Sequence, residues 1–574
     1  MKRCPQCHKV EADDTLTFCR ADGTPLVRDA GSAREGEGAS GFSPSARADT
    51  TETRILPTGE MPGRPPAPTT VLDGRLTSGG TRELIKPKSR RGAVIAAVVA
   101  AVVAAAAASL YLSRGKSPAT KSSIAVLPFL NASPDPDAEY LSDGITESLI
   151  NSLSQLPNLA VKARSTVFRY KGQQADPQKV GSELNVQAVL NGRVVERGGD
   201  LLLSLELIDT KTGDQIWGEQ YVRRTSDLVA LQNELARDVS NKLRLKLSGA
   251  DERRLAKNYT ENTEAYQLYL KGRFYWNKRT SSGFLQASDY FRQAIGKDPN
   301  YALAYAGLAD CYVLAFGDQR KTMPQAKDAA SRAVSLDPTL AEPHASLGMA
   351  KMLYDRDWDG ARREFEEAVR LNPKYATAHQ WYGILLSVTG KTDEALVEID
   401  RAIELDPLSL IINTDKGRIL YYARRYDEAI RQLQETLKLD ADFGTAHNIL
   451  GWCYAGKGMY DQSVAEIQRA RDLGIGQGGT FGRIAYAYAR AGKRAEAQKI
   501  LDELERRSNP SVSSYTLAVI YGGLGEREQA FSLLQKGIEE RAAGQSFLKV
   551  DPALDPLRDD PRFAELLRRA GFTQ

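Results

Sequence analysis

Three of the five cysteines fall within the first 19 residues of this 574-residue chain: Cys4, Cys7 and Cys19. Cys4-Pro-Gln-Cys7 holds two thiols two residues apart, a spacing that forms a tight knuckle and aims both sulfurs at one ion. Cys19-Arg20-Ala21-Asp22 repeats the spacing with a carboxylate in place of the second thiolate. Cys4, Cys7, Cys19 and Asp22 are therefore a candidate tetrahedral zinc set, with His8 the alternative fourth ligand. A redox pair, the rival chemistry of this spacing, needs a strand-and-helix context that the neighbouring residues do not provide. So short a unit cannot fold on a hydrophobic core alone, and structural zinc would hold residues 1–28 together. Only Lys2, Arg3, Lys9, Arg20 and Arg28 are basic there, too few to favour nucleic acid.

Three further constellations invite chemistry. Asp143 and Glu147 lie one helical turn apart, the spacing of an acid/base carboxylate pair; a solvated helix face with acidic residues in its early turns is the preferred reading. His344, His379 and His447 occupy one position of an internal repeat, where Tyr305 and Asn413 stand in other copies. That interruption breaks a metal ladder and favours a packing position. Gly474-Ile-Gly-Gln-Gly-Gly479 satisfies a dinucleotide fingerprint, which needs a strand before it and a helix after it; here it follows a helix and reads as a loop. No nucleophile set, phosphate loop, kinase or cyclase signature accompanies these residues, so the chain is read as non-enzymatic, with no small-molecule substrate indicated.

The elements that must position any site come from periodicity. Small residues recur at Gly272, Ala309, Gly348, Gly383, Gly417, Gly451, Ala485 and Ala518, about 34 residues apart. A second series, Ala326, Ala361, Ala395, Ala429, Ser463, Ala497 and Ala530, keeps step with it. Pro299, Pro338, Pro373 and Pro407 follow Asp or Asn and end the second helix of their units. The pattern predicts about eight helix pairs over 260–540, each unable to bury its apolar face alone, stacked as a solenoid. Cys311 and Cys453 fall on first helices and read as small buried residues. The inner wall of first helices should present Gln380, Arg418, Tyr421, Asn448 and Trp452, where an exposed Trp beside Arg and Asn suits peptide or protein capture.

Upstream, 29–91 is rich in Gly, Ser, Thr, Pro and Arg and reads as a disordered linker. The run Gly92–Leu112 carries no charge and at 1.5 Å per residue reaches roughly 30 Å, the bilayer core. Lys86, Lys88, Arg90 and Arg91 on its N-terminal side place the N-terminus in the cytoplasm and the C-terminal part in the periplasm. This predicts a single-pass inner-membrane protein of a bacterium. Net charge is +4, from 77 basic and 73 acidic residues, and argues for no charged partner.

Residues 122–248 alternate strand and helix signals. Strands are expected at Ile124–Phe129, Leu159–Ala163, Val186–Glu196, Leu201–Asp209 and Gln215–Val222, with a hairpin at Gly198-Gly199-Asp200. A helical stripe runs through Leu141, Ile145, Leu149, Leu153 and Leu156, and a helix from Ser226 to about Leu247 closes the unit. The result is a small α/β domain with one sheet.

Three resemblances follow. Residues 1–28 resemble the short zinc ribbons of bacterial N-termini, departing from them at Asp22. Ile124-Ala-Val-Leu-Pro-Phe129, Glu139-Tyr-Leu-Ser-Asp-Gly-Ile-Thr-Glu147, Leu190-Asn-Gly-Arg193 and Ile216-Trp217 resemble the TolB-like amino-terminal domain. Units such as Tyr305, Leu308, Ala309, Tyr312, Ala326, Ala333 and Pro338 resemble tetratricopeptide repeats, and 541–574, beginning its motif at Leu548-Lys-Val-Asp-Pro, looks like a terminal cap. The resemblance implies a multidomain, membrane-anchored scaffold or sensor that binds protein through its repeats in envelope assembly or signalling. The alternative is a transcription or signalling regulator whose ribbon contacts DNA or a regulatory protein.

Overall fold

A computed structural model describes residues 2–3, 10–11, 27–28, 122–245, 247–257, 259–314, 318–506 and 512–572. The chain divides into two units, residues 1–100 and 101–574. In the first, Lys2–Arg3 pairs antiparallel with Val10–Glu11 and with Val27–Arg28. Cys4, Cys7, His8, Cys19 and Asp22 lie outside the described residues, as do the linker and the run 92–112.

The expectation of a single-pass inner-membrane protein is corrected: among the described residues no helix is long and apolar enough to cross a membrane. The longest described helix, Gln319–Leu336, has 18 residues. Arg320, Lys321, Lys327, Asp328 and Arg332 interrupt it, and charge of that density is costly in hydrocarbon.

In the second unit six strands form one sheet: β1 (Ser122–Val126), β2 (Leu130–Asn131), β3 (Leu159–Val161), β4 (Ala188–Arg197), β5 (Asp200–Asp209) and β6 (Gln215–Arg224). The order is β3-β1-β4-β5-β6, with β2 also against β4. β1 runs parallel to β3 and β4, while β4, β5 and β6 form an antiparallel meander. The turn between β4 and β5 is Gly198-Gly199, both at positive φ, which suits glycine. Helices α1 (Glu139–Ser154) and α4 (Leu228–Lys242) bury Leu141, Ile145, Leu149, Leu231 and Leu235 with the sheet in one core. Two short helices, α2 (Arg164–Phe168) and α3 (Pro177–Leu184), were not legible in the hydrophobic pattern.

Eight helix pairs follow among the described residues, from Thr263–Asn277 with Ser281–Lys297 to Ser514–Leu524 with Arg527–Glu539. The two small-residue series meet directly at Gly383 with Ala395 and at Gly451 with Ser463. A Cβ added at Gly451 would lie 2.4 Å from Ile467 Cγ1 and 2.9 Å from the Ser463 carbonyl oxygen, and one at Gly417 would lie 2.7 Å from Leu433 Cγ. Gly451→Ala should therefore destabilise the sixth pair by about 1–3 kcal/mol despite the better helix propensity of alanine. Gly383→Ala, whose closest contact would be 3.1 Å, should cost less; urea unfolding of the two variants side by side checks the ranking.

The histidine position is a polar clip between the helices of a pair, where a packing position was expected. His344, His379 and His447 place Nδ1 2.6–2.7 Å from Glu364, Glu398 and Glu466. His379 and His447 also turn Nε2 to the carbonyls of Pro373 and Ala441. Asn413 makes the same clip with amides: its Nδ2 donates to the Pro407 carbonyl, and Gln432 donates to its Oδ1. No group of three or more potential ligands is arranged for a metal among the described residues. Gly474 and Gly476 form a positive-φ loop between the helices Tyr460–Asp472 and Gln477–Arg490, so no strand precedes the glycine run.

Candidate protein-binding wall of the solenoid

First helices of successive pairs touch one another and build a continuous wall. Gln380 is buried in it and donates to Asp415 Oδ2 at 2.7 Å, while Arg418 pairs with Asp415 Oδ1 at 2.7 Å. Burial raises the Asp415 carboxyl, and the neighbouring Arg418 charge pulls against that rise. Tyr421 is buried, with its ring 5.8 Å from that of Trp452, and Trp452 Nε1 donates to Asn448 Oδ1. All five residues read from the repeat register thus lie on first helices, in two polar groups. Trp452 is half-buried, not exposed, because the Arg483 guanidinium covers its ring at 4.3 Å.

What occupies this stretch of wall is the chain's own C-terminal segment. Asp551 is 1% exposed. It accepts from Arg483 Nη2 at 2.5 Å, Tyr515 OH at 2.6 Å, Tyr421 OH at 3.1 Å and the Ala553 amide at 3.0 Å. Burial by itself would raise the Asp551 carboxyl; the Arg483 guanidinium outweighs it and holds the group below the usual carboxylate range. Around this anchor Arg424 grips Asp555, Phe547 stacks on Tyr422, Ser546 donates to the Met352 carbonyl and Phe572 stacks on Trp358 at 4.5 Å. The segment is more than an end cap, since it reaches helices some 130–190 residues back along the chain.

The α/β domain fills the earlier part of the wall. Glu147 on α1 meets Arg273 and Asn277 on the first solenoid helix, with Arg273 Nη2 at 2.6 Å and Asn277 Nδ2 at 2.5 Å, and Arg164 Nε lies 3.0 Å away. Lys374 donates to the carbonyls of Leu156 and Leu159, and Ser165 bonds Asp406. Asp143, 4% exposed, pairs with Lys171 at 2.7 Å. The expected solvated carboxylate face of α1 is thus corrected: Asp143 and Glu147 are buried and each has a basic partner, too far away in sequence to be seen. An apolar seam runs beside these pairs, and Gly144 lets Leu270 approach to a distance at which a Cβ would lie 3.0 Å from it.

Asp310 sits deeper, accepting from Ser346 Oγ at 2.5 Å. Burial pushes its carboxyl up to about 6, against the pull of the Ser346 hydrogen bond and of Arg273. An acid whose folded value exceeds its unfolded value binds its proton more tightly in the folded state. Its contribution to stability is present below the ordinary value near 4 and is lost as pH rises through about 6. Asp310→Asn should flatten that decline, checked by unfolding midpoints at pH 5 and pH 7 for both proteins.

A cavity of about 380 Å³ lies beside Asp551, lined by Tyr421, Tyr426, Trp452, Tyr460, Arg483, Tyr486 and Arg490 from the solenoid and by Pro552, Asp555 and Pro556 from the C-terminal segment. Cys311 and Cys453 are buried elsewhere, and burial raises both thiols far above the range in which they react. Asp415, Arg483, Tyr515 and Asp551 were not found from sequence. The Asp-Pro pairs at 551 and 555 were the available signal, and the pattern gave no means of seeing where they dock.

Residues 120–238 match the family model of the HilA/YgeH-like transcriptional regulator, second domain. Residues 352–409 and 414–477 match the tetratricopeptide repeat, and the solenoid is a tetratricopeptide-repeat array. A Rhizobium meliloti protein named "Putative adenylate cyclase 3" is 34% identical over 235 residues, 40% of each chain. The transcriptional regulator HilA of Salmonella typhimurium is 24% identical over 286 residues, 48% of this chain and 49% of that one. The chain thus spans less than half the length of these curated relatives. Among solved structures YrrB, a TPR protein with an unusual peptide-binding site, is similar at 21% identity with a TM-score of 0.24, covering 32% of this chain and 92% of that one.

Proposed function

We propose that this chain is a non-enzymatic regulator that recognises a protein partner through its repeat solenoid and reports the event through the α/β domain docked on it. The observation that carries this reading is the buried Glu147–Arg273–Asn277 contact. It ties α1 to the first repeat, so a change in the solenoid acts directly on the domain similar to part of a transcriptional regulator. Tetratricopeptide repeats bind protein or peptide segments, and similarity to HilA, a transcriptional regulator, favours regulation over assembly. A TolB-like α/β domain is compatible with either role. Cys4, Cys7, Cys19 and Asp22 are proposed to hold structural zinc, with a stoichiometry of one ion per chain that Cys4→Ser should abolish in native mass spectrometry.

The test is site-specific photo-crosslinking in the native host. A benzoylphenylalanine at Tyr305, Lys416 or Tyr488 on first helices should give discrete adducts with one protein. The same group at Leu439, exposed on a second helix, should not. Equal labelling at all four positions, or turnover of a substrate by the purified chain, would defeat the proposal.

A further inference from the structure

We propose that the cavity beside Asp551 binds an acidic, aromatic-bearing peptide segment of a partner protein, with Arg490 as the recognition cation. This rests on the protein-binding reading above and gives it a place and a chemistry. The inner wall itself is filled from within. Its later part takes the carboxylate of Asp551, which shows what this surface selects: a peptide acid set between a guanidinium and tyrosine hydroxyls. Between this wall and the C-terminal segment lies an open cavity of about 380 Å³, within the range that holds a ligand.

Charge and rings in that cavity are unequally used. Neighbouring surface arginines are paired, Arg424 with Asp555, Arg494 with Glu526 and Arg527 with Asp559. Arg490 is exposed, lines the cavity and has no carboxylate partner among the described residues. Tyr460 is half-buried on the same lining and offers a face for an aromatic or proline side chain, while Tyr486 is buried there. One wall is the short 3-10 helix Pro552–Leu557, which presents Pro552 and Pro556 and the Asp555 carboxylate already paired with Arg424. The simpler role for Arg490 is a positive charge at the last residue of its helix, complementing the helix dipole. Arg490→Lys separates the two roles, since it keeps that charge and loses the planar two-pronged donor.

The full-length chain is titrated into fluorescein-labelled peptide pools of random sequence with a fixed central pair: Asp-Phe, Asp-Ala, Lys-Phe or Lys-Ala. Anisotropy should rank Asp-Phe tightest, about tenfold over Lys-Ala, the effect of one charge-assisted contact. Arg490→Glu should erase that preference and Arg490→Lys reduce it several-fold, with circular dichroism unchanged. Pools bound without preference, or a preference that survives Arg490→Glu, would overturn the cavity and leave the protein-binding reading standing. The same holds if no pool binds while the first-helix crosslinks form; failure of both experiments removes both. Arg490-dependent binding of adenosine monophosphate in place of the peptides would also overturn it, by reassigning the cavity to a nucleotide.

Discussion

Asp551→Ala is expected to loosen the whole C-terminal third of the solenoid. The substitution leaves the Arg483 guanidinium buried against Trp452, with two tyrosine hydroxyls that have lost their acceptor. Breaking a buried ion pair from one side costs about 3–5 kcal/mol, because the remaining charge has neither water nor counter-ion. Hydrogen exchange over 545–557 and over Ser514–Leu524 should quicken together, while the α/β sheet stays protected. Asp551→Asn should cost less, since it keeps the shape and one acceptor. Arg483→Met combined with Asp551→Leu should recover much of the loss, because an apolar pair of similar volume replaces a buried ion pair at little cost. The pH dependence follows from the depressed carboxyl. Its contribution is complete above the ordinary carboxylate value near 4 and is lost as pH falls through the folded value. Asp551→Asn should therefore remove acid lability in this segment. Unchanged exchange in Asp551→Ala would mean that the segment is held by its apolar contacts alone.

The elements were more legible than the contacts between them. Alternation and the Gly198-Gly199 turn mark the meander because both act within ten residues. The Gly and Ala series marks the repeats because each small residue answers a neighbour one helix away, as Gly451 answers Ser463 and Ile467. The short helix Arg164–Phe168 gave no signal: one turn and a half has no periodicity to detect. The site was less legible still. The repeat register put Tyr421 and Trp452 on the inner wall, but the partner that matters, Asp551, lies 130 residues beyond Tyr421. The Asp143 and Glu147 side chains misled for the same reason. Carboxylates on a helix surface are solvated by default, and only the fold brings Lys171, Arg164 and Arg273 to them. Burial of an acid is a tertiary property, set by where another domain docks.

Glu147 is where that docking is most exposed to test. The residue is 6% exposed, and its carboxylate faces two guanidiniums and an amide. Burial would raise it, but Arg273 and then Arg164 overcome that and hold it below the usual range. Glu147→Ala leaves Arg164 and Arg273 facing each other across a buried gap, and about 3–5 kcal/mol should be lost from the interface. The α/β domain and the first repeats also share one apolar core through Tyr266, Leu270 and Tyr301, so the interface should loosen locally without unfolding either body. Limited proteolysis should open the connection at 243–262, and exchange should quicken in Glu139–Ser154 and Thr263–Asn277 with little change in β4 and β5. Glu147→Gln retains an acceptor but turns an amide donor toward the guanidiniums, so it should fall between the two. If the α/β domain transmits what the solenoid binds, Glu147→Ala must uncouple them: the first-helix crosslinks to the partner persist while the downstream regulatory output is lost. Persistence of both would show that the Glu147 contact is structural only, and loss of both would show that the partner needs the docked domain to bind at all.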